Sequence, residues 1–599
     1  MKNRRINVYI FGKQMVKLLP IHTIFYVVSQ GLLALFPMVQ TMAIAAFINN
    51  VSSENAMKHS NPGIFLPLLA ILLCVLLQNV MPVITQIVNV SQKNKLSLHL
   101  NLMLLNKQMK LSYQYIEDEK TCDLIYRVRD NCVNYFDEGF ANLFDSMALI
   151  IKLTSLMIIV FKASMVSGVV ILLLVCPLLF FARKTGNTNY ELEQDAKLTK
   201  RRYQYLFSLL TGKEAAHERT LFGFSENLTK QYNRMFDEAL KKEAKIINKR
   251  YANMKSGSIV TLFVSIGIMV LMLPGLFRNE ISAGLYIGLA GAVLELIQSM
   301  SWKLAGMMQN YARLNSFLDD YNDFMELNEQ PQAEDKPAKV IETNQPSVEF
   351  QNVSFRYPGT DMYILKNCSF RLAGGCSYAV VGENGAGKTT IAKLILGLYR
   401  DYEGDILIND RNLKSYSYGE IKSLVGTVFQ DFARYELPLD ENIGIGRITQ
   451  YFEGCSEETE IKKICDELDM TAWINSLPKG FQTVLGKLEE EGVDLSGGQW
   501  QKIAIARLLY KNADINILDE PTAAMDAKAE SKLYELFQKL NTGKFNILIT
   551  HRMGAARIAD EILVLQNGMV VEQGKHESLV KMENGVYRVM YESQRQWYE

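Results

Sequence analysis

The chain has 599 residues, too many for one ordinary hydrophobic core, so at least two domains are expected. Lysine plus arginine equals aspartate plus glutamate at 64 each. The resulting zero net charge argues against a nucleic-acid partner, because such binders usually carry a basic excess. Hydrophobic residues make up 48% of the chain, but the long apolar runs are confined to the first 330 residues.

The N-terminal segment argues against a cleaved signal peptide, and the cysteines argue against a disulfide framework. Residues 1–5 are basic, but no short apolar core with a small-residue cleavage site follows, so no cleaved signal is expected. The eight cysteines are scattered without paired metal-ligand spacing. We interpret them as reduced, small apolar residues and not as a disulfide framework.

Six apolar stretches in the first part of the chain are long enough to cross a bilayer, which needs about 20 helical residues. They lie near 20–49, 64–91, 140–162, 164–183, 256–278 and 281–302. Segments such as Leu66–Val90 are apolar all round, which favours membrane spans over the helices of a soluble protein. The sequence therefore predicts a polytopic membrane domain over residues 1–330.

The connections between these stretches predict the orientation. Those at 92–139 and 183–255 are long and basic, whereas the others are short, so the long ones and both termini are expected in the cytoplasm. The two long connections contain few glycines or prolines, so the spanning helices are expected to continue into the cytoplasm. Residues 6–19 are amphipathic and suit a helix lying at the inner membrane interface.

Among the charged residues inside predicted spans, Lys152 lies near the middle of the third span and Glu295 lies well inside the sixth. A charge in the membrane interior is costly and normally faces a partner or a water-filled cavity. One interpretation is that both line a translocation cavity, as a pair or as substrate contacts. The other is a structural ion pair or a snorkelling lysine, and the sequence leaves both open.

Residues 331–346 are polar and contain prolines, which predicts a linker. From residue 347 to 599, short strand-like runs alternate with helical stretches, the pattern of an α/β domain.

The first motif of this α/β domain is "GENGAGKTT" at 382–390, between a strand-like and a helical run. Glycines there let backbone amides surround phosphates, Lys388 is expected to neutralise the β- and γ-phosphates, and the Thr389 hydroxyl to ligate Mg²⁺. Alone, this motif predicts nucleoside triphosphate binding and could equally open a GTPase or a kinase.

Two further motifs narrow the prediction. "LSGGQ" at 495–499 precedes a helical run, so Ser496 and the amides of Gly497 and Gly498 are expected to form a second anion cradle. In "INILDEPTAAMD" at 515–526, an apolar strand ends in Asp519 and Glu520, as expected where carboxylates meet Mg²⁺ and water at the edge of a sheet. Asn516 departs from the otherwise apolar strand.

In this order, the motifs resemble the ATP-binding-cassette (ABC) family. The six spans with long cytoplasmic hairpins resemble its exporter-type (type IV) half-transporters. The resemblance implies an α-helical polytopic membrane domain plus an α/β P-loop ABC ATPase domain. It also implies coupling helices near Tyr113–Asp123 and near Leu210–Phe222, and two ATP molecules held between two such ATPase domains.

The resemblance also implies a role for each matching residue. Glu520 polarises the attacking water, His551 contacts the γ-phosphate, and Asp519 holds Mg²⁺. Gln430 contacts both Mg²⁺ and the water, Tyr357 stacks on adenine, and Asp526 reports across the dimer. The expected ATP-binding set is Tyr357, Gly382, Glu383, Asn384, Gly385, Ala386, Gly387, Lys388, Thr389, Thr390, Ser496, Gly497, Gly498, Gln499 and Asp526.

The expected function is ATP-driven export of a peptide or other amphipathic substrate across a bacterial inner (plasma) membrane. The expected cofactors are ATP and Mg²⁺, and the expected partners are membrane lipid, the exported molecule and a second copy. A homodimer is favoured because Glu520, His551 and LSGGQ are all present, but one subunit of a heterodimer remains the alternative. Around Gln430 and LSGGQ the sequence looks like bacterial exporters of modified peptides, while multidrug or lipid export stays open. The six spans argue against the soluble ABC ATPases, and the intact catalytic residues argue against a channel regulator.

Overall fold

The computed structural model describes most of the chain as two units. Described residues are all except 1–4, 53–61, 164, 167, 170–172, 174–199, 201, 213–214, 279, 331–345, 453–457, 488–490, 523–529, 536–544 and 596–599. The helical unit comprises Met1–Leu105 and Asp123–Glu326, and the mixed α/β unit comprises Asn106–Cys122 and Leu327–Glu599. The short segment 106–122 therefore belongs with the α/β unit, although it lies between two long helices in the sequence.

The helical unit is built mainly from long helices, with shorter helices beside them. Their bounds are α1 (Val8–Leu18), α2 (Pro20–Ser52), α3 (Pro62–Met109), α5 (Glu119–Ala163), α6 (Ala216–Phe222), α7 (Ser225–Phe277) and α8 (Ala283–Glu326). At about 1.5 Å per residue, the 48 residues of α3 extend roughly 70 Å, more than twice the thickness of a hydrocarbon layer. Helices of this length fit the expected cytoplasmic extensions of the spans.

Apolar surface on these helices fits a membrane environment. Among the described residues, three helices are long and apolar enough to cross a membrane: Pro20–Ser52, Gly63–Met109 and Glu119–Lys162. Shorter apolar helical stretches lie at Ser265–Phe277 within α7 and at Ala283–Leu294 within α8. The predicted fourth span, 164–183, lies almost entirely outside the described residues. The helical, membrane-type character of this region is confirmed, whereas the count of six spans stays a prediction.

Aromatic side chains fix the amphipathic α1 onto its neighbours. Phe11 is buried, and its ring centre lies 5.0 Å from that of Phe136 on α5. Phe136 in turn meets Phe317 of α8 edge to face at 5.6 Å. The side chain of Asn7 caps α1 by accepting a hydrogen bond from the Ile10 amide.

The α/β unit contains two sheets. An antiparallel sheet has the order β2-β1-β4-β5, and a six-stranded sheet has the order β10-β9-β3-β8-β7-β6. In the second sheet β9, β3, β8, β7 and β6 run parallel, and β10 is an antiparallel edge strand. The strands are β1 (Val348–Phe355), β2 (Leu365–Leu372), β3 (Ser377–Gly382), β4 (Glu403–Ile408), β5 (Arg411–Asn412), β6 (Val425–Val428), β7 (Ile515–Asp519), β8 (Phe545–Ile549), β9 (Glu561–Gln566) and β10 (Met569–Gly574).

Helices of the α/β unit pack into separate hydrophobic clusters. They are α4 (Tyr113–Glu117), α9 (Lys388–Ile395), α10 (Tyr418–Leu424), α11 (Leu439–Gly444), α12 (Ile448–Phe452), α13 (Glu458–Glu467), α14 (Thr471–Asn475), α15 (Gly497–Lys511), α16 (Met553–Ala556), α17 (His576–Leu579) and α18 (Val586–Arg595). One cluster lies between the two sheets and includes α9. A second, around Trp500 and Tyr510, joins α11, α13, α14 and α15.

Asn516, the polar residue of the otherwise apolar β7, has a buried partner on the neighbouring strand. Asn516 lies opposite Asn546 of β8 in the register of the parallel pair. Its side-chain amide donates a 3.0 Å hydrogen bond to Oδ1 of Asn546, and both residues are buried. A buried polar group is tolerated when it is hydrogen-bonded, so the pair explains the break in the apolar pattern.

Candidate functional site

The predicted catalytic residues gather at one edge of the six-stranded sheet. Strands β3, β8, β7 and β6 are parallel neighbours, so their carboxyl ends meet at the same edge. The phosphate-loop motif begins at the last residue of β3, and Asp519 ends β7. His551 follows β8 by two residues, and Gln430 follows β6 by two residues. Four segments that are distant in sequence therefore contribute to one site.

The phosphate loop joins β3 to α9 through a glycine-rich turn. Gly385 and Gly387 adopt left-handed backbone angles, with φ of 82° and 103°. A Cβ on Gly387 would also come within 2.7 Å of the Leu365 side chain, so only glycine fits there. Residues 383–385 are exposed and 386–388 are buried, so the loop presents its tip to solvent from an anchored base.

Lys388, the first residue of α9, lies across this loop. Its ammonium donates hydrogen bonds of 2.9 Å to the carbonyl oxygens of Gly382 and Glu383. Burial lowers the pKa of Lys388, and the nearby carboxylates of Glu520 and Asp519 oppose that change. A largely buried cation beside a glycine-rich turn is suited to bind a polyphosphate.

Asp519 is buried at the end of β7 and accepts a hydrogen bond from the Thr389 hydroxyl. Burial is the largest cause of a raised pKa at Asp519, and the Thr389 hydrogen bond acts in the opposite direction. A hydroxyl and a carboxylate within hydrogen-bond reach of each other are hard oxygen donors of the kind that Mg²⁺ prefers. The residues present therefore fit a magnesium ion.

Glu520 lies beside His551. Its Oε1 is 3.0 Å from Nδ1 of His551, and its side chain is 15% exposed. Glu520 has a left-handed φ of 48°, and its amide donates to the Ile549 carbonyl at the end of β8. For a non-glycine residue that conformation is uncommon and tends to occur at functional sites. The strained turn directs a carboxylate to the sheet edge, where it could accept a proton from water.

The remaining predicted residues occupy different positions. Gln430 is exposed in the turn after β6. Tyr357 is half-buried, and its hydroxyl is 3.0 Å from the Thr390 hydroxyl of the phosphate-loop motif. Tyr357 also lines a cavity of about 530 Å³. Asp526 lies outside the described residues, and so does the side chain of Glu295, while Lys152 is half-buried on α5.

The second predicted anion cradle begins α15. The Ser496 hydroxyl accepts a hydrogen bond from the Gln499 amide, and the Gln499 side chain accepts one from the Ser496 amide. This capping box fixes the start of the helix, with Gly497 and Gly498 in its first turn. Trp500 belongs to the helical cluster, whereas Ala386 of the phosphate loop belongs to the cluster between the sheets. The two cradles are thus anchored in different parts of the unit.

A group of residues without a sequence motif contacts this site. Glu117 on α4 makes a 2.5 Å ion pair with Lys393 on α9 and accepts a hydrogen bond from Tyr399. These partners are separated from Glu117 by 276 and 282 positions. No local pattern in the sequence marks such a contact, so these pairs could not be predicted from the sequence.

The fold and the site together define a class: a P-loop ATPase domain in one chain with long apolar, membrane-type helices. Comparison with protein-family models matches residues 365–523 to the family described as ABC transporter. The chain is 32% identical over 498 residues to the subtilin transport ATP-binding protein SpaT of Bacillus subtilis, covering 83% of this chain and 79% of that protein. It is 29% identical over 496 residues to the nisin transport ATP-binding protein NisT of Lactococcus lactis, covering 81% and 80%.

A further relative, the ATP-dependent lipid A-core flippase of Escherichia coli K12, is 30% identical over 374 residues, which is 62% of each chain. Among solved structures, a bacterial Atm1-family ABC exporter with ATP bound superposes with a TM-score of 0.79 at 24% identity, covering 96% of this chain and 99% of that one. The chain belongs to the ABC transporter family. It is an exporter-type chain with fused membrane and nucleotide-binding domains and an ATPase, as the sequence predicts.

Proposed function

We propose that this protein exports a peptide from the bacterial cytoplasm at the expense of ATP. The observation that carries the ATP-driven part is the assembled sheet edge, where Glu520 and His551 lie 3.0 Å apart beside the phosphate loop. The peptide part is supported by two relatives whose names include subtilin and nisin transport and whose similarity extends over four-fifths of both chains.

Hydrolysis at this site rests on positioning and electrostatics, without a covalent intermediate. Lys388 binds the β- and γ-phosphates, and the loop amides surround them. Glu520 accepts a proton from the attacking water, which Gln430 helps to orient. His551, held by Glu520, contacts the γ-phosphate. Each of these roles follows from the family resemblance and fits the position of the residue at the sheet edge.

Thr389, Asp519 and Gln430 would hold Mg²⁺ here. When bound, such an ion would supply positive charge that offsets the charge of the phosphates. Asp519 is suited to this role because it is buried and already accepts a hydrogen bond from the Thr389 hydroxyl. Tyr357 would stack its ring on adenine.

A homodimer would complete the nucleotide site. Ser496, Gly497, Gly498 and Gln499 of a second copy would contact the γ-phosphate, and Asp526 would respond across the interface. The capping box keeps the start of α15 in the conformation that an anion cradle requires. Because each copy carries Glu520, His551 and an intact LSGGQ motif, both composite sites would hydrolyse ATP. The alternative is a heterodimer with an unidentified second subunit.

In the membrane, we propose six spans with both termini and the ATPase domain in the cytoplasm, in the inner (plasma) membrane of a bacterium. The proposed domains are residues 1–330, a linker at 331–346 and residues 347–599. The short helices α4 and α6 would be the coupling helices. Leu221 and Phe222 on α6 are exposed apolar side chains. Lys152 and Glu295 would face the translocation cavity.

The substrate class distinguishes the main proposal from its alternative. The name of the flippase relative points to a lipid, but the similarity to it covers a smaller share of both chains than the similarity to the two peptide transporters. Export of drugs or lipids is therefore the second candidate, and peptide export is the first.

We expect the chain purified alone in lipid nanodiscs to be dimeric and to hydrolyse ATP. Amphipathic peptides are expected to stimulate the rate at least about twofold, and lipid A or lipophilic drugs are expected to stimulate it less. Mass photometry would measure the oligomeric state, and phosphate release would measure the rate. An inactive but ATP-binding chain would contradict the homodimer, and stimulation by lipid alone would contradict the peptide assignment.

A further inference from the structure

The short helix α4 contacts the P-loop helix and the adenine-side aromatic group through one carboxylate. Glu117, the last residue of α4, is about one-third exposed, while its partner Lys393 on α9 is 17% exposed. Oε1 of Glu117 accepts hydrogen bonds from the Lys393 ammonium at 2.5 Å and from the Tyr113 hydroxyl at 2.9 Å. Oε2 accepts a hydrogen bond from the Tyr399 hydroxyl. One carboxylate thus binds three donors from two segments of the chain.

The pKa of Glu117 shifts in the direction that these three hydrogen bonds require. Burial would raise the pKa of Glu117, but hydrogen bonds from Lys393, Tyr399 and Tyr113 outweigh it, so the pKa is lowered. Burial, together with Glu117, raises the pKa of Tyr399, which keeps its hydroxyl protonated as a donor. Charge-assisted hydrogen bonds of this kind are short and directional, so they hold Lys393 and Tyr399 in place.

Two sets of contacts connect Glu117 to the expected nucleotide position, and the first consists of aromatic rings. Tyr399 meets Tyr357 edge to face with ring centres 5.5 Å apart, and it meets Tyr113 of α4 in the same manner at 5.6 Å. Phe355 closes the group, at 5.2 Å from Tyr357 and 5.1 Å from Tyr399. Such edge-to-face contacts restrict the orientation of each ring. The orientation of Tyr357 therefore depends on Tyr399, and through it on Glu117.

The second set of contacts connects Glu117 to the phosphate loop through α9. Lys393 is on the same short helix as Lys388, the residue that begins it beside the phosphate loop. The Lys393 ammonium lies 5.5 Å from the ring centre of Tyr357 and 5.8 Å from that of Tyr113, within the range of a cation–π interaction. The Tyr357 hydroxyl also meets Thr390 at 3.0 Å. Both sets of contacts therefore end at Tyr357 and the phosphate loop.

We propose that Glu117 is a positioning residue that links the conformation of α4 to ATP affinity by ordering Tyr357 through Tyr399 and Lys393. This inference rests on the proposed adenine-stacking role of Tyr357. The chain joins α4 directly to α3 and α5, so a movement of those helices acts on the carboxylate. Because such a linkage is reciprocal, ATP binding also stabilises the docked position of α4.

The test measures KM for ATP and kcat of the full-length chain in nanodiscs. We compare wild type with Glu117→Gln, Tyr357→Ala and the double variant. Glu119→Gln is the matched control, because Glu119 is an exposed glutamate two positions away. Glu117→Gln is expected to raise KM roughly threefold to tenfold, a range typical of coupling within one network, with kcat nearly unchanged. Tyr357→Ala is expected to raise KM roughly fivefold or more through lost base stacking.

The double variant distinguishes an effect of Glu117 that acts through Tyr357 from an effect that only holds α4 in place. If Glu117 acts through Tyr357, adding Glu117→Gln to Tyr357→Ala changes KM by less than about twofold. An equal increase on both backgrounds, or a loss of kcat with unchanged KM, would overturn the proposal. The Tyr357→Ala variant alone tests adenine stacking, so a failure of that role is seen separately. Should Glu117→Gln fail to fold, Tyr399→Phe removes only one hydroxyl, and an unchanged KM there would also contradict the proposal.

Discussion

Glu520→Gln is expected to reduce the ATPase rate by about a hundredfold to ten-thousandfold while leaving ATP binding intact. The substitution keeps the size and shape of the side chain but removes the carboxylate that accepts a proton from water. It also replaces the charged oxygen that lies 3.0 Å from Nδ1 of His551 with a neutral amide. Because Lys388 and the phosphate loop are unchanged, ATP should still bind.

Single-turnover phosphate release and equilibrium binding of ATP would measure the two effects separately. Glu583→Gln is a suitable control, since Glu583 is an exposed glutamate of the same domain away from the sheet edge. A Glu520→Gln variant that kept more than about a tenth of the wild-type rate would show that another group accepts the proton.

Lys388→Met is expected to weaken ATP binding roughly tenfold to a hundredfold, the loss that follows removal of hydrogen bonds to a charged group. The carboxylates of Glu520 and Asp519 lie near enough to the Lys388 ammonium to oppose the lowering of its pKa by burial. Methionine has a similar length but no charge, so the two carboxylates would then repel the phosphates of ATP. Hydrolysis is expected to fall with binding.

Isothermal titration of ATP into the nanodisc-embedded chain would measure this loss. Lys366→Met, at an exposed position on β2, removes an equal charge from the same domain without touching the phosphate loop. Equal affinities for ATP in wild type and Lys388→Met would contradict the assigned role, whereas a loss shared by Lys366→Met would indicate a general charge effect.

The motif residues could be placed from sequence because each motif is local. A strand, a glycine-rich turn and a helix occupy consecutive residues around Lys388, and the structure has β3 and α9 there. The meeting of Asp519, His551 and Gln430 could also be anticipated, because parallel strands bring their carboxyl ends to one edge. The α/β domain and the long apolar helices follow from hydrophobic patterning alone.

Contacts between distant segments could not be anticipated. Glu117 looks like an ordinary surface glutamate in the sequence, and its partner Lys393 is 276 positions away. Asn516 breaks the apolar pattern of its strand, and its partner Asn546 lies on the adjacent strand. In both cases the role of a charged or polar group depends on a partner that only tertiary packing brings near. Such a partner leaves no periodic pattern in the sequence.

The proposed function depends most directly on whether ATP hydrolysis moves a peptide across the membrane. Inside-out membrane vesicles containing the wild-type chain, incubated with a fluorescent amphipathic peptide and ATP, would test this. We predict ATP-dependent accumulation of the peptide inside the vesicles, and none with Glu520→Gln or without ATP. Accumulation that is equal in wild type and Glu520→Gln, or absent from wild-type vesicles that hydrolyse ATP, would contradict peptide export.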